Sequence, residues 1–373
     1  YTQTTSLGLD LWDWGRRRSR YLSALKDRER ERAQSRRALQ GLDFRVATLF
    51  YSIRALEQDR EVLALSIRTL EGALKVAKDF FGVGRSTQAD VLVVEVSLTR
   101  VQYDERRLGD ALADARDALR AILRLEPGAE LTLANSDEPE AQPGADRGGD
   151  LEDRASGVDV FAPWENIAVE RRPEVVAFRH SLEALGYQRR SLASDFLPTI
   201  GVFAQHEYST TRSAFRNPNI FSGGVQASWE LFSGFRTRYA RAELSARVQE
   251  LAAKEELFIA DLRVEVRRSL RVLARAHDGV RVAVKGVEQS RENLRQVQVR
   301  MNSGKASGQE LLEAESLARS EAARLVQART SVRRAEARLR FVCGLDFDED
   351  DDAPQGAKAR VDSEVPVPVG VER

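Results

Sequence analysis

The strongest constraint on this 373-residue chain is a repeat: a shift of 220 positions carries one long pattern onto another without a gap. From Arg16 to about Asp79 there is no proline, and Gly41 and Gly72 are the only glycines. Apolar residues alternate at spacings of four and three: Leu42, Val46, Leu49, Ile53, Leu56, then Leu63, Ile67, Leu70, Leu74, Ala77 and Phe81, with Arg60 the one interruption. This 3.5-residue period predicts a coiled-coil seam. At 1.5 Å per residue, a helix of this extent spans roughly 95 Å, far longer than a globular core needs. The shifted copy reads Leu262, Val266, Ser269, Leu273, Ala276, Val280, Ala283, Val287, Ser290, Leu294, Val297, Met301. The same offset carries the strand-like Leu9-Asp10-Leu11-Trp12 onto Trp229-Glu230-Leu231-Phe232, Arg16 and Arg18 onto Arg236 and Arg238, Gly84 onto Gly304, Asp90 onto Glu310 and Glu95 onto Glu315. One offset serving strand-like, helical and turn segments marks a tandem duplication.

After each glycine turn a second heptad series begins, running from Val91 to Ile122 in the first copy and from Leu311 to Val342 in the second. Each copy therefore contains an antiparallel hairpin of long helices. Periodicity alone favours a soluble coiled-coil rod or spacer.

The segments ahead of the long helices speak against a simple rod. In 221–232, Val225, Ala227, Trp229 and Leu231 alternate with Gly224, Gln226, Ser228 and Glu230. The first copy repeats the rule, with Leu7, Leu9 and Leu11 opposite Ser6, Gly8 and Asp10. About ten alternating residues suit a tilted transmembrane barrel strand. A third strand is expected over 197–208, with poorer alternation because Val202 and Phe203 fall on opposite faces, followed by a Ser/Thr/Asn/Pro-rich loop, 209–219. Trp12, Trp14, Phe232 and Phe235 gather where strand becomes helix; they suit either an interfacial aromatic girdle or plain packing of the junction.

Composition supports this frame by exclusion. Mean hydropathy is -0.42 and no run of about eighteen apolar residues occurs, so a membrane-spanning helix is ruled out. Lys plus Arg equals Asp plus Glu at 58 each, giving no global basic excess for nucleic acid. The single cysteine, Cys343, excludes an intramolecular disulfide and sits beside a heptad position. His180, His206 and His277 lack metal-ligand spacing, and no phosphate loop, G-x-S-x-G elbow or H-E-x-x-H occurs; no cofactor, metal or catalytic residue is assigned and an enzyme is not expected.

With these residues in view, the chain resembles the outer-membrane efflux protein family of TolC-like factors. The match is carried by Arg172-Pro173-Glu174 opening a short helix, Leu197-Pro198 opening a strand, Val225 to Phe232 leading into the Leu-Phe-Ser-Gly corner, and Gly304 followed by Glu310-Leu311-Leu312. The first copy contributes Leu11-Trp12-Asp13-Trp14-Gly15-Arg16 and Gly84 with Asp90-Val91-Leu92. The resemblance covers roughly residues 1 to 344. It implies a mainly helical fold with membrane β-strands, in which three protomers close one β-barrel in a Gram-negative outer membrane and one α-helical tunnel in the periplasm. The homotrimer is then a passive export duct that works with a periplasmic adaptor (membrane fusion protein) and an inner-membrane pump, in efflux or type I secretion; its surroundings are outer-membrane lipid, not nucleic acid.

The resemblance also implies roles for particular residues. The turns holding Gly84, Arg85, Ser86, Thr87 and Asp90, and Gly304, Lys305 and Ser307, become adaptor-contacting tips. Glu310 and Glu313 become an acidic pore constriction of six carboxylates per trimer, favouring cations. Some relatives lock the tip with Tyr and Arg, where this chain has Met301 and Ala306, leaving Arg85 and Lys305 as candidates for other tip ion pairs. The organisation expected is a first repeat over 1–125 (strand 1–12, hairpin 16–125), an equatorial linker over 126–170, a second repeat over 171–344 (helix 173–195, strands 197–208 and 221–232, hairpin 236–344) and an acidic flexible tail over 345–373. The stretch 135–149 is expected to be disordered. Subtracting 220 from Pro173 puts a fourth strand, its helix and any leader or lipid-bearing cysteine ahead of Tyr1.

Overall fold

A computed structural model describes residues 2–126, 128–133, 161–209 and 219–347. The stretch 135–149, the loop 210–218 and the acidic tail from Asp348 lie outside the described residues.

In chain order the elements are β1 (Thr2–Trp12), α1 (Arg16–Gly82), α2 (Gln88–Leu123), α3 (Ala162–Arg171), α4 (Pro173–Ala193), a single 3-10 turn (Ser194–Phe196), β2 (Thr199–Ser209), β3 (Asn219–Ser228), α5 (Arg236–Asn302) and α6 (Gly308–Cys343). Helices α1 and α5 both have 67 residues, α2 and α6 both have 36, and every boundary is displaced by 220.

The offset extends to backbone detail. Both strand-to-helix corners use two successive left-handed residues: Trp14 (φ 52) and Gly15 (φ 78), then Gly234 (φ 59) and Phe235 (φ 62). The glycine sits second in one pair and first in the other, so each copy relieves only one of its two strained positions. At the far ends, Arg124 (φ 55) and Gly344 (φ 71) terminate α2 and α6 through matching bonds: Leu125 N–H to Arg120 O and Leu345 N–H to Arg340 O, both 3.0 Å.

The strands form one antiparallel sheet in the order β1-β2-β3. Its register joins Leu9, Val202 and Val225 across one face, as it does Leu7, Ala204 and Gly223. Phe203, which spoils the alternation of β2, pairs with Gly8 on one side and Gly224 on the other. Its ring covers Gly224, where an added Cβ would lie 3.3 Å from the ring edge. An aromatic between two glycines fills a gap that side chains on the neighbouring strands would otherwise occupy. The last strand ends at Ser228, short of the expected Phe232. Ser228 pairs with Thr199, the first residue of β2 after Pro198; proline has no N–H with which to extend the ladder. β1 carries a register irregularity between Asp10 and Trp12.

The chain divides into two compact units, Tyr1–Ala38 with Val169–Leu262, and Leu39–Ala168 with Arg263–Arg373. The division falls inside α1 and α5, so each unit draws on both copies. The first unit holds the sheet and α4. In the second, Leu70 and Ala73 of α1, Val94, Leu98 and Val101 of α2, Val297 and Met301 of α5, and Leu311, Leu312 and Ala314 of α6 form one core. A further cluster joins Ile53 to Leu112 and Leu119. In the second copy the heptad residues Leu262, Val266, Ala283, Val287, Val297 and Met301 are all buried; in the first, Leu42 and Phe81 remain exposed. Cys343 is fully buried.

Candidate functional site

At the helical tips, α1 and α5 end on a glycine in the left-handed region, Gly84 (φ 72) and Gly304 (φ 69). The next N–H, from Arg85 or Lys305, returns to Phe80 O or Arg300 O at 2.8 Å, satisfying a carbonyl that the helix end leaves open. Three residues on, Thr87 and Ser307 cap α2 and α6, each hydroxyl accepting from the N–H of Asp90 (3.3 Å) or Glu310 (3.2 Å). The acid answers by accepting from the cap residue's N–H, completing a capping box. The pattern Thr-x-x-Asp and Ser-x-x-Glu was visible in the sequence, and it explains why an acid recurs six positions after each glycine.

The two boxes differ in tightness. Asp90 accepts from Thr87 N–H at 2.9 Å, from the Thr87 hydroxyl at 2.7 Å and from the Ser86 hydroxyl at 3.0 Å. These bonds, led by the Thr87 N–H, hold its carboxyl below the usual aspartate range. Glu310 reaches Ser307 N–H only at 3.4 Å and also lies 3.6 Å from Arg300 Nη1. Glu313 accepts one bond, from Gln309 Nε2 at 3.0 Å. Both glutamates are exposed.

Met301, at one of the lock positions, is buried in the four-helix core, and Ala306 packs against it. Among the described residues, Arg85 and Lys305 form no ion pair within the protomer; the tip contact is Arg300 with Glu310.

Eleven residues past Gly304 lies a group that the heptad reading did not single out. Glu315 is 4% exposed, takes a short hydrogen bond from the Ser66 hydroxyl of α1 and lies 3.5 Å from Arg319 Nε. Two more polar contacts continue along α1 and α6: Gln327 to Asp59 (3.4 Å) and Arg334 to Ser52 (2.7 Å). Ser52, Asp59 and Ser66 recur every seven residues. The seam between the copies thus carries a polar contact at each of three successive heptad intervals.

At the strand-to-helix junctions, Trp12 and Trp14 meet edge to face at 5.9 Å, and Phe232 and Phe235 at 5.6 Å. All four are exposed. Trp14 Nε1 donates to Pro198 O (2.7 Å), and Trp229, absent from the expected girdle, donates to Phe196 O (3.1 Å). Asp13 accepts from Gly15 N–H (3.1 Å) and Arg17 N–H (2.9 Å), capping α1; the Arg17 bonds hold its carboxyl low. No helix among the described residues is long and apolar enough to cross a membrane, and no cluster of metal-ligating side chains occurs among them.

Residues 1–123 and 164–345 match the family model described as outer membrane efflux protein. The alkaline protease secretion protein AprF of Pseudomonas aeruginosa is 26% identical over 361 residues, covering 94% of this chain and 71% of that protein. The outer membrane protein VceC of Vibrio cholerae superposes with a TM-score of 0.73 at 16% identity, over 93% of this chain and 80% of VceC. The Campylobacter jejuni CmeC outer membrane channel gives 0.69 at 13% identity, over 96% and 74%. At these identities the two structures establish a shared fold.

Proposed function

The chain belongs to the outer membrane efflux protein family, and on that premise we propose that it is the outer-membrane duct of a tripartite export system, passing cargo from an inner-membrane pump and a periplasmic adaptor to the outside. The observation that carries this reading is the sheet. Leu7, Leu9, Phe221 and Val225 are 56 to 80% exposed, on ten- and eleven-residue strands that nothing among the described residues covers. An apolar sheet face of this size is stable against lipid, and its free edges close when copies complete a barrel. A homotrimer with its strands in the outer membrane and its helices in the periplasm satisfies both needs. The similarity to a protein named for alkaline protease secretion favours a polypeptide cargo.

The hairpin turns, with Gly84, Arg85, Ser86, Thr87, Asp90, Gly304, Lys305 and Ser307, form the adaptor-facing tips. Glu310 and Glu313 form the acidic constriction. Because Glu310 is shared between the capping box and Arg300, Glu313 carries the larger part of the pore field. The aromatic pairs Trp12–Trp14 and Phe232–Phe235 sit at the membrane boundary.

Fractionation of the full chain tests the duct itself: it should sediment with outer membranes and migrate as a heat-sensitive trimer. A monomer that stays soluble without detergent would overturn the reading and favour a periplasmic coiled-coil scaffold. For the constriction, single-channel recording should show reduced cation preference in Glu313→Ala, with a smaller change in Glu310→Ala. Unchanged selectivity in the double variant removes both residues from the gate.

A further inference from the structure

Positive charge is concentrated where the sheet meets the helices. The segments 10–21, 189–195 and 229–241 hold nine arginines and four acidic residues, in a chain whose charges balance as a whole. They converge at one end of the sheet: Arg16 lies 3.5 Å from Asp195, Trp14 donates to Pro198 and Trp229 to Phe196. Three of the acids are consumed by arginines in place, Asp13 by Arg17, Asp195 by Arg16 and Glu230 by Arg236 (2.7 Å). Arg18, Arg20, Arg189, Arg238 and Arg241 are exposed, with no side-chain partner among the described residues.

These charges work against local helix stability. Neither α1 nor α5 has an acid in its first turn, yet both begin with arginines at matching positions, Arg16 and Arg236, Arg18 and Arg238. Cations at a helix N-terminus oppose the macrodipole. Exposed aromatics accompany them: besides the two junction pairs, Tyr21 is 67% and Tyr239 71% exposed. Guanidinium groups bind phosphodiester oxygens in a bidentate fork, and amphipathic rings rest at headgroup depth.

We propose that this arginine collar binds anionic phospholipid headgroups of the leaflet adjoining the helices. The inference rests on the duct reading, which puts this end of the sheet at the periplasmic surface, where phospholipid is the anionic lipid present. The neighbouring protomer is the competing sink for the charge.

The full chain is incubated with vesicles of phosphatidylcholine alone and of phosphatidylcholine mixed with phosphatidylglycerol, and insertion is read by flotation. The wild type should favour the anionic vesicles by about tenfold at low salt, and the preference should shrink as salt rises. Replacing Arg18, Arg20, Arg189, Arg238 and Arg241 by alanine should abolish the preference while leaving insertion and trimer intact; replacement by lysine should keep most of it. Equal insertion of the wild type into both vesicles, or an alanine variant that retains the preference, overturns the inference and leaves the duct reading standing. An alanine variant that falls to monomers overturns it by assigning the arginines to the protomer interface. Loss of the preference in inorganic phosphate, where chloride at the same ionic strength leaves it intact, overturns it in favour of a small-anion site. Failure of the wild type to enter either vesicle overturns the duct reading itself.

Discussion

Helices α2 and α6 have the same length, a capping box at one end and the same left-handed termination at the other, yet α6 buries twelve of its residues and α2 five. Their neighbours account for the difference. α6 is flanked by α5, through Arg338 and Glu265 (2.7 Å), and by α1, through the Ser52, Asp59 and Ser66 contacts. α2 pairs with α1 through Arg60–Glu105 (2.9 Å) and Arg116–Glu57 (2.8 Å), meets α6 in the core near the tips, and leaves Leu92, Val96 and Tyr103 exposed. Duplication copied a backbone into two environments, and the side chains answer to the environment. Glu95 and Glu315 occupy the same repeat position, one exposed and the other buried beneath Ser66.

Equivalent substitutions in the two copies test how far this asymmetry reaches. The largest effect is expected at Ile53, fully buried, and its half-buried counterpart Leu273. Denaturant unfolding should show Ile53→Ala losing about 3 kcal/mol and Leu273→Ala clearly less. Equal losses would mean that the two long helices are packed alike in the assembled protein. Next comes Glu315→Ala, which leaves a buried Ser66 hydroxyl without its acceptor and Arg319 without its ion-pair partner and should cost about 2 kcal/mol, while Glu95→Ala should stay within about 0.5 kcal/mol.

Smaller effects sharpen the comparison at the turns. Gly15→Ala forces a side chain into a left-handed position and should lower stability by about 1 kcal/mol; Phe235→Gly, at the equivalent position, should raise it by a similar amount. The smallest difference is expected in acid. Because the carboxyl of Asp90 is held low, its capping bonds contribute fully above the ordinary aspartate range near pH 4 and are lost as pH falls below it. A thermal-melt comparison of wild type with Asp90→Asn should therefore show a gap at neutral pH that closes in acid.

Much of this architecture was legible in the residues. The heptads, the glycines and the unchanged offset announced two hairpins of equal length, because helix periodicity and turn chemistry are written within a few neighbouring positions. The alternation of β1 and β3 was likewise readable, and so were the acids at the tips, whose capping role lies in the four-residue patterns Thr87 to Asp90 and Ser307 to Glu310. The end of β3 was not legible from β3 itself, since Pro198 on the neighbouring strand decides where the ladder stops.

What the sequence determined alone is therefore the four long helices, their capping boxes and their twofold repetition, all set by short-range hydrogen bonding and backbone conformation. Tertiary structure decided which of two equivalent helices, α2 or α6, is the more buried. Burial of Glu315 and exposure of Glu95, the polar seam between α1 and α6, and the gathering of arginines from three separate segments at one end of the sheet depend on lateral packing of elements more than a hundred residues apart, and no local pattern encodes which neighbour arrives.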